Sequence, residues 1–106
     1  SFDDNDPDIT HLQGAIVPGF INTHCHLELS HLKGKIKPKS GLINFLKEVI
    51  NLRDKDHKDV HKAIQTADKE MWKNGIVAVG DISNTTVTAK VKAQSPIHYH
   101  TFIEML

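Results

Sequence analysis

The chain predicts an α/β fold in which short parallel strands are joined by crossover helices. Two β-prone runs, residues 20–26 and 76–80, flank two segments of helical periodicity, and a third run follows at 97–106. Ile76, Val77, Ala78 and Val79 are apolar without alternation, as expected of a parallel strand covered on both faces. Three such strands are too few for a closed barrel or a comfortable open sheet. The chain is therefore expected to be a piece of a larger α/β domain.

The elements follow in order. Residues 1–7 are acidic and polar without periodicity, and read as a loose start. Residues 14–19, GAIVPG, combine an apolar run with turn punctuation, and Pro18 bars a central strand there. FINTHCH, residues 20–26, is short and β-prone. Ser40 offers an N-cap to a helix whose apolar face is Leu42, Phe45, Leu46, Val49 and Ile50, ending near Arg53. A charged break at 54–59 separates it from a second helix with Val60, Ala63, Ile64, Ala67 and Met71 on one stripe and Gly75 just past its end. Asp81 closes the strand at 76–80, residues 86–94 are read as a short helix despite their threonines and valines, and 97–106 form the third strand.

Composition narrows the function classes. Thirteen basic residues cancel thirteen acidic ones, and Arg53 is the only arginine, so nothing steers the chain toward nucleic acid or an anionic membrane. The lysines between Lys33 and Lys39 have no interleaved aromatics and read as a solvated loop. No apolar stretch approaches membrane-spanning length and no signal-like segment opens the chain. Cys25, the single cysteine, forms no internal disulfide and suits a reducing compartment, so a cytoplasmic setting is expected.

Eight histidines in 106 residues produce H-x-H pairs by chance, and there are two, His24/His26 and His98/His100. Position separates them. In parallel α/β folds functional groups gather where the strands end. His24 and His26 end an apolar run and, two residues apart, share one face, while Cys25 points to the other, against the helices. Two neutral imidazoles on a rigid strand make half of a site suited to zinc or iron. A packed core pair is the competing interpretation. His98 and His100 begin their run and belong to the opposite rim, where the mouth residue is Glu104. His57 and His61 stand four apart like a helical zinc pair, but Lys58 replaces the glutamate of H-E-x-x-H and both lie off the apolar stripe, so a solvated helix face is expected. Asp81 is expected to cap the following turn through Ser83 or Asn84 rather than to meet a ligand. Glu28, two beyond His26, either overhangs the same cavity or is an ordinary exposed carboxylate.

These residues carry a resemblance. VPGFINTHCHLELSHLKGKI, residues 17–36, resembles the first barrel strand of the amidohydrolase superfamily, whose P-G-[FL]-[IV]-x-x-H-x-H signature supplies two ligands to a catalytic metal. NGIVAVGDISN, 74–84, is similar to that superfamily's second strand and HTFIEML, 100–106, to its third. The HLELS continuation is most similar to the branch of aminodeoxyfutalosine, cytosine- and guanine-type deaminases and chlorohydrolases. The resemblance implies a (β/α)₈ TIM barrel of which this chain holds the first three strands and the intervening helices, with residues 1–15 a remnant of a flanking β-sandwich and the entry to the barrel, and 16–106 the partial barrel. It implies His24 and His26 as metal ligands, Glu28 and Glu104 facing the substrate pocket, and a divalent ion, zinc first, with iron or manganese as alternatives.

The function so implied is hydrolysis of a C–N or C–halide bond in a small, heterocyclic substrate by metal-activated water. The catalytic acid/base and the remaining ligands belong to later strands, so this chain alone is expected to be inactive. Its partners are expected to be a small-molecule substrate and, through open sheet edges, further copies of itself. A non-catalytic α/β binding module, with the mouth histidines recognising a ligand or partner, is the alternative.

Overall fold

A computed structural model describes residues 7–53 and 59–104. Its elements run β1 (Phe20–Cys25), a 3-10 helix (Leu27–Leu32), α1 (Leu42–Arg53), α2 (Val60–Lys73), β2 (Ile76–Ser83), α3 (Ala89–Gln94) and β3 (His98–Ile103). The strands form one sheet in the order β1-β2-β3 with both pairings parallel. The expected α/β architecture is present, and the helix read at 86–94 forms over its last six residues. Residues 105 and 106, the end of the third expected strand, lie outside the described residues, as does His57. His61 is exposed on α2.

One sheet face is covered by helices. The core cluster is Leu27, Val60, Ile64 and Val91, with Cys25, Ala67, Met71, Val87 and Tyr99 packed against it. It joins the 3-10 helix, α2 and α3 to the sheet, so the apolar stripe of α2 buries where its spacing predicts. Gly75 ends that helix at φ +81, the left-handed conformation glycine adopts without a Cβ clash. By contrast α1 buries none of its residues, and Leu42, Ile43 and Ile50 stay more than half exposed.

Two features depart from expectation. β2 is not apolar on both faces: Val79, Asp81 and Ser83 are buried, whereas Val77 is 39% exposed. β2 also runs on through Asp81 to Ser83 instead of closing there, because these polar side chains find partners inside. Among the described residues β1 and β3 each keep an unpaired outer edge. No described helix is long and apolar enough to cross a membrane.

Candidate functional site at the strand ends

His24 and His26 flank the end of β1, and their rings lie 5.2 Å apart between centroids at an interplanar angle of 67°. Both side chains therefore project to one side. Cys25 between them turns the other way, into the core cluster. The pairing of β1 with β2 slips between Asn22 and Cys25: three steps on β1 answer two on β2. Such a bulge re-aims the side chains at its crest. Gly80 faces it, and a Cβ there would stand 2.8 Å from the Thr23 carbonyl oxygen, so only glycine lets the strands approach at this level.

The chain leaves β1 through His26 into the 3-10 helix, and two buried carboxylates hold that exit. Asp81, fully buried in β2, accepts the Leu27 N–H at 2.7 Å and the Ser83 hydroxyl at 3.0 Å. It also pairs with the Lys92 ammonium of α3, whose Nζ donates to Thr101 on β3 at 2.9 Å. The expected bond with Ser83 is present, but as a link within the strand rather than as a turn cap. Glu28, 7% exposed, accepts the backbone N–H of Asn84 at 3.1 Å and of Thr85 at 3.0 Å, together with the Thr85 hydroxyl at 2.8 Å. Its carboxylate thus fastens the 3-10 helix to the loop after β2. Glu104 follows β3 at the same end of the sheet, its N–H donating to the Ser83 carbonyl at 3.2 Å.

Of the second histidine pair, expected at the opposite rim, only His98 begins its strand; His100 lies level with the β1 bulge that Gly80 faces. His98 opens β3 opposite Ala78, and His100 stands opposite Gly80, edge-on to Phe102 at 4.7 Å. His31, which the sequence pattern did not single out, is buried in the 3-10 helix with Nδ1 3.1 Å from the Glu28 carbonyl oxygen. The acceptor there is a carbonyl, so Nδ1 carries the proton, and Nε2 has no hydrogen-bond partner among the described residues. His31 and His26 line a hollow of about 560 Å³ with Lys33, Lys62 and Glu70. Burial, then the neighbouring Asp81 charge, pushes the Cys25 thiol up to about 11. Burial and the bond to Asp68 raise Tyr99 as well.

As a donor set, His24 and His26 fit a divalent ion: imidazole is a common zinc ligand, and the two rings are side by side. A catalytic zinc takes about three protein ligands. Among the described residues no third His, Cys, Asp or Glu joins the pair.

An adenosine deaminase from Helicobacter pylori (strain ATCC 700392 / 26695) is 32% identical over 92 residues, 87% of this chain and 22% of that protein. The crystal structure of Helicobacter pylori aminofutalosine deaminase in complex with methylthio-coformycin superposes at TM-score 0.75 with 31% identity, over 84% of this chain and 22% of that one. The chain thus spans about a fifth of the length of these relatives, and its three parallel strands and helices match the start of a TIM barrel. A family model described as Amidohydrolase family matches residues 15–103, nearly the whole sequence, and the chain belongs to that family.

Proposed function

We propose that this chain supplies the first three β/α units of a metal-dependent amidohydrolase that removes an amino group from a small heterocyclic substrate. Carbon–halide hydrolysis is the alternative chemistry of the same site. The observation that carries the proposal is the His24–His26 pair, 5.2 Å apart at the end of β1 in a chain of amidohydrolase sequence. The relatives are named as deaminases of adenosine and of aminofutalosine, which supports C–N hydrolysis and makes those two compounds the first substrates to assay.

In this reading neutral His24 and His26 hold a divalent ion, zinc first and iron or manganese next. Such an ion supplies Lewis acidity and makes water at the site a nucleophile near neutral pH. The chain's own residues orient and enclose. Glu28 and Glu104 belong to the substrate side of the mouth, Glu28 acting there through the Asn84–Thr85 rim that its carboxylate gathers. Two imidazoles alone grip an ion weakly, so the 106-residue chain binds zinc loosely and turns nothing over.

Zinc competition against a chromophoric chelator, with an ammonia-release assay on the same sample, tests this. The expected result is zinc readily lost from the chain, weaker binding still in H24A and H26A, and no ammonia. Chelator-resistant stoichiometric zinc with deamination by this chain, or zinc binding indifferent to both histidine variants, overturns it.

A further inference from the structure

We propose that Asp81 is a positioning residue for the His24–His26 pair, acting through the peptide that follows His26; the inference rests on the metal reading above. Asp81 has no exposed surface, and its Oδ1 takes the Leu27 N–H at 2.7 Å, across 54 residues of sequence. Leu27 is itself 1% exposed in the core, so the bond anchors the main chain one peptide beyond the His26 ring. The other oxygen is engaged by Ser83 and by Lys92, whose ammonium reaches on to Thr101. A continuous polar chain thus runs from β3 through α3 and β2 to the exit of β1.

The physical need for it lies in the backbone. His26 has φ −122 and ψ 77, between the strand and the 3-10 helix; the carbonyl of the peptide that follows it accepts the Leu29 N–H at 3.0 Å, and Asp81 holds the N–H side of that same peptide. The bulge between Asn22 and Cys25 further loosens the pairing of β1 with β2. A buried charge-assisted acceptor at that point fixes which way the next N–H points, and with it the direction of the His26 Cα–Cβ bond. Lys92 pairs with the same carboxylate inside the fold. Removing Asp81 leaves that peptide held at its carbonyl alone, by the Leu29 N–H, and lets the two rings spread without touching either of them.

The test compares zinc affinity and melting temperature in the protein expressed from its intact coding region. Asp81→Ala is expected to weaken zinc at least tenfold. Asp81→Asn keeps an oxygen for Leu27 while losing the charge, and is expected to restore affinity to within about threefold of wild type, even where its melting point stays low. Should Asp81→Ala not fold, D81A/K92M removes the stranded ammonium and carries the same expectation. The control is Asp68→Ala, which removes another buried carboxylate and with it the bonds from Ser95 and Tyr99 at 2.6 and 2.7 Å. It is expected to lower the melting point and leave zinc affinity unchanged. Equal zinc loss in Asp68→Ala, or wild-type affinity in the Asp81 variants lacking a carboxylate or amide oxygen, overturns the inference. His26→Ala separates the two levels: if it too leaves zinc affinity unchanged, the metal reading itself fails.

Discussion

Replacing Glu28 by alanine isolates the link between the first and second strand exits. In the native chain its carboxylate accepts two backbone N–H groups, from Asn84 at 3.1 Å and Thr85 at 3.0 Å, and the Thr85 hydroxyl at 2.8 Å. Hydrogen bonds to a charged group each contribute about 1.5–3 kcal/mol. The full sum overstates the loss, because Thr85 is exposed and Asn84 half-buried, so water takes over part of the bonding once the carboxylate is gone. Counting one bond in full and the rest at a fraction gives about 2–4 kcal/mol of destabilisation for E28A. For a domain of this size that lowers the melting temperature by about 10–25 °C. E28Q keeps one acceptor oxygen but turns an NH₂ toward donors, so it is expected to lose about half as much.

Urea unfolding followed by circular dichroism reads the global term, and hydrogen exchange at the Asn84 and Thr85 amides reads the local one. Both amides should exchange faster in E28A, with the C-terminal half of α2 protected as before. An E28A protein within about 0.5 kcal/mol of wild type, the range of an ordinary surface substitution, would refute the account. So would unchanged exchange at the two amides, since the bonds would then be carrying nothing.

Two other outcomes follow from the same structure. The Cys25 thiol, with its pKa pushed up to about 11 from 9.0, should label slowly with iodoacetamide at pH 8 while the chain is folded and quickly in urea. The folded state then keeps the proton longer than the unfolded one, so this group's contribution to stability is intact below about pH 9 and drains away between about 9 and 11; fast native labelling at pH 8 contradicts it. The outer strands leave Ile21 67% and Ile103 73% exposed beside unpaired edges, so light scattering on this chain should show a mass that rises with concentration. A strictly monomeric species at high concentration contradicts that.

What was legible in the sequence was whatever depends on local period. The stripe Val60, Ile64, Ala67, Met71 repeats every three or four residues and was bound to face something apolar; it faces Leu27 and Val91. The parity of His24, Cys25 and His26 needs only a strand, and the rings lie side by side while the thiol turns inward. The 3-10 helix was not legible, because six residues reading LELSHL match neither a strand nor an α-helical template. The true end of β2 was also hidden, since polarity at Asp81 and Ser83 looks like a strand terminus to any hydrophobic pattern.

Those missed features have one cause. Asp81 is buried because Leu27, 54 residues earlier, and Lys92, 11 later, satisfy it. Glu28 is buried because Asn84 and Thr85 lie beside it, 56 and 57 residues away. A carboxylate inside a protein is stable only with such partners, and partners that distant leave no trace in a local window. The same holds for Gly80, whose role in the close approach of the strands shows only once the Thr23 carbonyl is seen 2.8 Å from where its Cβ would stand. The histidine pair and the contacts around it are therefore encoded differently: the first in adjacent letters, the second in the pairing of β1 with β2. It follows that substitutions at Gly80 and Asp81, neither of which is a donor to a cation here, should disturb the histidine pair as surely as substitutions beside it.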